Sequence, residues 1–87
     1  MYYVYVLINK DAKIYVGYTK DLRRRMTEHG HSTGYTGKGR DWRLSYYEAF
    51  VSKKDAVRRE RALKQSPQSR RWLRDRIEDS LEICRKS

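Results

Sequence analysis

Two apolar runs at the start of the chain constrain its fold more than any other feature. Tyr2 to Ile8 is a run of β-branched and aromatic residues, and Ile14 to Tyr18 is a second. The stretch between them, Asn9 to Lys13, is short enough for a hairpin loop. If the last residue of the first run pairs with the first residue of the second, odd-numbered residues of both runs share one sheet face. The sequence therefore predicts a β-hairpin that carries Tyr5 and Tyr15 on the same face.

The rest of the chain predicts one more strand, three helices and one loop. A helix is expected from a Thr19 cap to about His29, and residues 30–41, which hold four of the five glycines, are expected to form a loop. Trp42 to Val51 predicts a third strand, and Ser52 to about Gln65 predicts a second helix opened by a capping-box pattern. A basic amphipathic helix is expected at about residues 67–84. We therefore predict an α+β fold with a small, three-stranded, mostly antiparallel sheet flanked by helices, in the order β-β-α-β-α-α.

The size and the cysteine content exclude several classes of protein. A chain of 87 residues has room for one domain, so residues 1–87 are expected to form a single unit. The longest apolar run, Tyr2 to Ile8, is too short to span a membrane and lacks the features of a signal peptide. The single cysteine, Cys84, excludes an intramolecular disulfide and a zinc site made of cysteines. A reduced, cytoplasmic location is expected.

The charge of the chain indicates a polyanionic partner. The formal net charge is +10, of which residues 19–29 carry +2 and residues 52–65 carry +4. This concentration on the predicted helices favours nucleic acid over an anionic membrane surface. A basic surface that serves only solubility is the alternative.

One carboxylate, Glu60, does not fit a purely solvent-facing helix. At helical spacing it falls on the apolar stripe with Ala56 and Leu63. In contrast, the solvent side carries Arg58, Arg59 and Arg61. A carboxylate on an inward face is costly unless a cation or hydrogen bonds satisfy it. Two interpretations remain open: an ion pair with an arginine of the first helix, or a ligand for a hard divalent cation.

Tyrosine is unusually frequent, with eight residues against one phenylalanine. Tyr46 and Tyr47 are expected to be ordinary core or surface residues, and Tyr5 and Tyr15 are the better candidates for presenting two hydroxyls together. On the first helix, Arg25 and the histidine four positions later share a face.

These residues, in this order along the chain, resemble the motifs of the GIY-YIG nuclease superfamily. The resemblance extends from residue 2 to about residue 64 and rests on Tyr3-Val4-Tyr5, then Tyr15-Val16-Gly17, then Leu22, Arg25 and His29 at fixed spacing, and finally Glu60. The chain departs from the pattern where Tyr3 replaces a glycine, where Val4 and Val16 replace isoleucines, and at Tyr18, where some members have lysine.

The resemblance implies a metal-dependent endonuclease that hydrolyses phosphodiester bonds of DNA. One divalent cation, Mg²⁺ or Mn²⁺, would be held by Glu60, and Arg25 would stabilise charge on the scissile phosphate. A tyrosine would take the proton from the attacking water, with Tyr5 favoured as the base and Tyr15 as its hydrogen-bonding partner, or the reverse. His29 would orient water or phosphate.

The expected partner is nucleic acid, most of all structured or single-stranded DNA bound with little sequence specificity, with no membrane and no small-molecule cofactor. A nucleic-acid-binding module without catalysis and a ribonuclease are the alternatives. Contacts to the substrate are expected from Gly17, Tyr18, Arg24, Lys38, Arg40 and Lys64.

Overall fold

The computed structural model describes residues 1–31 and 42–86, with the side chains of residues 28–31 excepted. The elements are β1 (Tyr2–Ile8), β2 (Ile14–Thr19), α1 (Leu22–His31), β3 (Arg43–Phe50), α2 (Lys53–Gln65), α3 (Pro67–Arg76) and α4 (Glu78–Lys86). The predicted α+β class and the order of the elements are confirmed, except that the last predicted helix is two helices. None of the described helices has the length and apolarity needed to cross a bilayer.

The predicted hairpin joins β1 and β2 in the predicted register, with Ile8 opposite Ile14. The Asn9 side chain organises the loop, because its Oδ1 accepts hydrogen bonds from the backbone N–H groups of Asp11 and Lys13, each at 2.9 Å. Ala12 adopts the left-handed conformation, with φ of 63°. The turn therefore fixes which residues of β1 and β2 face each other.

The sheet has the order β2-β1-β3, and both pairings are antiparallel, so β1 is the central strand. Even-numbered β1 residues pack into the main core, where Val4, Val6 and Ile8 meet Ala56 and Leu63 of α2. Odd-numbered β1 residues point to the opposite face. This opposite surface, which carries Tyr3, Tyr5, Tyr15 and Tyr47, is called the tyrosine face below.

The start of α1 differs from the prediction, and Thr19 as its cap is wrong. Thr19 ends β2, and its Oγ1 accepts a hydrogen bond from the backbone N–H of Asp21 at 3.0 Å. Asp21 Oδ1 in turn accepts from the backbone N–H of Arg24 at 3.1 Å, which is the geometry of a helix cap. The predicted Ser52 cap of α2 is confirmed, since its hydroxyl accepts from the backbone N–H of Asp55 at 3.3 Å.

The C-terminal helical region is interrupted at Ile77, whose φ of −117° and ψ of 29° leave the helical range. Basic residues end α3, and Glu78 begins α4, so each helix end meets charge of the sign that its dipole favours. The side chains of Ile77 and Leu81 both remain in the core. Apolar spacing is thus kept across the break, which is why the periodicity predicted one continuous helix.

Candidate functional site

The tyrosine face is built around a close approach of Tyr5 to Gly17, which lie directly opposite each other in the sheet. The Tyr5 side chain has no exposed surface, and its ring lies across the backbone of the glycine. A Cβ at position 17 would lie 2.8 Å from Tyr5 Cε1 and closer still to Cζ and Oη. Only a residue without a Cβ leaves room for the ring, so the glycine is required by the tyrosine opposite it.

Tyr15 joins this pair to the edge of the sheet. The rings of Tyr5 and Tyr15 lie 6.2 Å apart between centroids at an interplanar angle of 43°. On its other side Tyr15 contacts Trp42, with centroids 6.3 Å apart in an edge-to-face arrangement. Tyr15 is partly exposed, whereas Tyr5 is fully buried. The side-by-side placement of the two tyrosines agrees with the sequence prediction, and the aromatic contact from Trp42 was not predicted.

Glu60 lies on α2 and is half-buried, with 22% of its side chain exposed. Its Oε2 pairs with Nζ of Lys64, one helical turn later, at 2.9 Å. The same ammonium lies 5.8 Å above the centroid of the Tyr15 ring. Because β2 is an edge strand, the long lysine side chain can pass beside it to reach that ring. Lys64 therefore connects the Glu60 carboxylate to the tyrosine face.

A carboxylate–arginine pair joins β3 to α2, and it is formed by Glu48 and Arg59. The prediction that Arg59 faces solvent is wrong, because its side chain turns towards this carboxylate and is only 31% exposed. Arg59 donates to Glu48 from Nε, 3.0 Å from Oε1, and from Nη2, 3.0 Å from Oε2. The Tyr46 hydroxyl donates to the same carboxylate at 2.7 Å. Burial raises the pKa of the Tyr46 hydroxyl, and its hydrogen bond to Glu48 raises it further. This cluster stabilises the contact between β3 and α2. It does not include Glu60, whose described partner is Lys64.

The donor set around Glu60 suits one kind of metal ion. Among the described residues there is no group of three or more His, Cys, Asp or Glu side chains that could form a complete metal site. Mg²⁺ typically keeps several waters and is bound through one or two carboxylates together with substrate phosphates. A single half-buried carboxylate therefore fits a hard divalent cation that the substrate helps to bind.

A basic cleft of about 480 Å³ lies where β2 ends and both α1 and α2 begin. Three of its lining residues are predicted substrate or phosphate contacts: Tyr18, Arg24 and Arg25. Lys20 and Lys53 also line it and were missed, because the sequence alone does not show that the starts of the two helices meet. The cleft can bind anionic groups such as phosphates.

Three further predicted site residues fall partly or wholly outside the described part of the structure. His29 belongs to α1, one turn after Arg25, and its side chain is outside the described part of the structure. Lys38 and Arg40 also lie outside the described residues. The structure thus brings Tyr5, Tyr15, Gly17, Glu60 and Lys64 into one series of contacts, with Arg24 and Arg25 on the neighbouring cleft.

Comparison with known proteins agrees with the motifs and the fold. Residues 1–73 match the family described as the GIY-YIG catalytic domain. A UPF0213 protein of Streptococcus agalactiae serotype V is 43% identical over 65 residues, which cover 72% of this chain and 74% of that protein. A UPF0213 protein of Streptococcus pneumoniae serotype 4 is 36% identical over 83 residues, covering 91% and 84%. The solution NMR structure of a UPF0213 protein from Bacillus halodurans is 38% identical, with a TM-score of 0.55 over 84% of this chain and 82% of that one. The chain therefore belongs to the GIY-YIG catalytic domain family, among its small UPF0213 members.

Proposed function

We propose that this protein is a divalent-metal-dependent endonuclease that hydrolyses phosphodiester bonds of DNA, with residues 1–87 acting as one nuclease domain. The observation that carries the proposal is the contact series from Glu60 through Lys64 and Tyr15 to Tyr5. It links a half-buried carboxylate, through one lysine, to Tyr15 on the edge strand β2 and to Tyr5 on the central strand β1. A purely structural role leaves this combination unexplained, since Glu48 and Arg59 already join the sheet to α2.

Glu60 would hold one Mg²⁺ or Mn²⁺, which when bound supplies Lewis-acid polarisation of the scissile phosphate. Arg25 would bind the non-bridging phosphate oxygens, because its planar donor fork matches their geometry. Arg24 and Tyr18, together with the two cleft lysines, would hold neighbouring phosphates of the same strand. These contacts would hold the strand that is cut through its phosphates.

The two tyrosines differ in their access to water, and this bears on their roles. Tyr5 is fully buried against Gly17, whereas Tyr15 is partly exposed. A general base must reach the proton that it removes. Burial therefore favours Tyr15 as the base and Tyr5 as its partner, the second of the two assignments left open by the sequence. The Lys64 ammonium would stabilise negative charge that develops on the Tyr15 hydroxyl.

The polarity of the surface supports a substrate held through its backbone. Four cations line the basic cleft, and contacts to phosphates carry little sequence information. We therefore propose structured or single-stranded DNA with little sequence specificity, and His29 as a residue that orients water or phosphate. A binding module without catalysis and a ribonuclease are the competing functions.

The test is a cleavage panel of single-stranded, duplex and flapped DNA and of RNA, each in Mg²⁺, in Mn²⁺ and in EDTA. The wild-type protein should cut DNA with either metal and not in EDTA, and Glu60→Gln should lose on the order of 10²-fold or more in rate while still binding DNA. Glu82→Gln is the matched control, because this carboxylate on α4 also pairs with cations of its own helix. Glu60→Gln cutting at the wild-type rate would remove the metal site from the proposal. Cleavage of RNA alone would favour the ribonuclease, and binding without any cleavage would favour the inactive module.

A further inference from the structure

A second cleft, of about 430 Å³, opens on the tyrosine face between α1 and the edge strand β3. Its apolar part is lined by Tyr3 and Tyr47 from the sheet and by Met26 from α1. The two tyrosine rings lie 5.9 Å apart between centroids at an interplanar angle of 66°. We call this Tyr3–Tyr47 pair and its surroundings the aromatic cleft.

The exposure of Tyr47 has no explanation in the packing of the core. Half of Tyr47, 51%, is exposed, and the neighbouring Leu44 is 37% exposed. Tyr47 does not belong to the main core cluster, which lies on the other face of the sheet. It lies directly opposite Tyr5 in the pairing of β1 with β3. An open aromatic surface therefore lies one strand away from the fully buried tyrosine of the proposed active site.

The aromatic cleft continues into the basic cleft. Lys20 and Asp21 line both of them, and Arg23 adds a further cation on the aromatic side. Asp21 is the acidic residue among the described lining, and its Oδ1 is engaged by the backbone N–H of Arg24 at the start of α1. A path of cations with an aromatic surface at one end matches a chain of phosphates that carries a planar base.

We infer that the aromatic cleft binds an unpaired nucleobase of the substrate strand, which stacks on Tyr47. The inference rests on the proposed function and names the feature of the DNA that the protein selects. In a duplex both faces of a base are covered by its neighbours, so a tyrosine can stack only on a base that is single-stranded or extruded. The phosphates next to this base lie along Lys20 and the basic cleft, towards Arg25.

The test measures binding of a short single-stranded DNA in EDTA, where no metal-dependent cleavage occurs. One abasic nucleotide is moved through the oligonucleotide position by position, and each version is titrated with wild-type, Tyr47→Thr, Tyr47→Val and Tyr47→Phe proteins. Threonine and valine keep strand propensity and remove the ring, whereas phenylalanine keeps the ring. Trp72→Gln is the matched control, because Trp72 is a 63% exposed aromatic residue on α3, outside both clefts.

Stacking of one base on an aromatic side chain predicts a loss of about tenfold in affinity for Tyr47→Thr and Tyr47→Val. Tyr47→Phe and Trp72→Gln should bind as the wild type does, and the slope of affinity against salt should be the same in all of them, since no phosphate contact is removed. An abasic nucleotide at one position should weaken binding by the wild-type protein about tenfold. The same nucleotide should weaken binding by Tyr47→Thr less than about twofold.

The inference is overturned if ring removal leaves affinity unchanged, or if the abasic penalty is the same with and without the ring. The abasic scan on the wild-type protein tests it even if both ring-removal variants fail to fold, because a flat profile would then be sufficient to reject it. Cleavage of DNA by a protein with a flat abasic profile would reject the aromatic cleft and leave the endonuclease standing. A position-dependent abasic profile in a protein that cuts no DNA would support the aromatic cleft and reject the endonuclease.

Discussion

Gly17→Ala tests the closest packing relation in the proposed site. The added methyl would lie 2.8 Å from Tyr5 Cε1 and closer to Cζ and Oη, whereas carbon atoms in ordinary contact lie about 3.5–4.0 Å apart. The ring must therefore move by roughly 1 Å, and full burial leaves it no open space to move into. Overpacking of this kind costs about 1–3 kcal/mol, and the reduced freedom of the unfolded alanine chain returns about 0.4–1 kcal/mol. We expect a net loss of stability of about 1–2 kcal/mol.

The assay is urea unfolding followed by circular dichroism, on Gly17→Ala, Tyr5→Leu and the double variant. Leucine at position 5 removes the ring atoms that the methyl meets, so Gly17→Ala should cost little in that background. The coupling free energy from the cycle should be about 1 kcal/mol or more. A Gly17→Ala protein as stable as the wild type, or additive effects in the double variant, would refute the close approach. In an active enzyme the displaced ring should also lower the cleavage rate by up to about 10²-fold, because a 1 Å misplacement can cost that much.

Three further predictions concern single side chains. Tyr5→Phe and Tyr15→Phe should fold and bind DNA, and at least one should lose on the order of 10²-fold in cleavage rate; wild-type rates in both would contradict the proposed chemistry. Lys64→Met should change the free energy of unfolding by less than about 0.5 kcal/mol. It should tighten Mn²⁺ binding, measured by electron paramagnetic resonance, about two- to fivefold, because the Lys64 ammonium no longer competes with the metal for Glu60. An unchanged Mn²⁺ affinity would show that the ammonium does not compete. The pKa of the Tyr46 hydroxyl is raised in the folded state, so the neutral hydroxyl contributes fully to stability below about pH 10, and this contribution is lost as the pH rises through the folded pKa. Melting temperatures measured from about pH 8 to 12 should therefore fall more steeply for the wild type than for Tyr46→Phe. Parallel curves would exclude this contribution.

The sequence was sufficient for those features that depend on counting residues within one element or one short loop. The register of the hairpin follows from a loop of fixed length, and it places Tyr5 and Tyr15 side by side. The inward position of Glu60 follows from the helical angle relative to Ala56 and Leu63, and the carboxylate is half-buried as expected. Periodicity is a reliable guide here because each of these relations is local.

Features that depend on contacts between distant elements could not be obtained in this way. Tyr47 was expected to be an ordinary core or surface residue. Its place beside the proposed site depends on its pairing with Tyr5 and on β3 being an edge strand. Lys20 and Lys53 belong to one cleft only because the starts of α1 and α2 meet in space. No spacing rule along the chain describes such a meeting.

The alternation of β1 between the two sheet faces has a consequence for protein engineering. Val4, Val6 and Ile8 belong to the main core, whereas Tyr3 and Tyr5, at odd positions, belong to the tyrosine face. The main core and the proposed chemistry thus use alternate positions of a single seven-residue strand. Libraries that vary only the even positions, together with their helix partners, can be selected for thermal resistance without altering a side chain of the tyrosine face. The usual trade-off between stability and activity, which arises where one residue serves both, should be weak at the even positions of this strand.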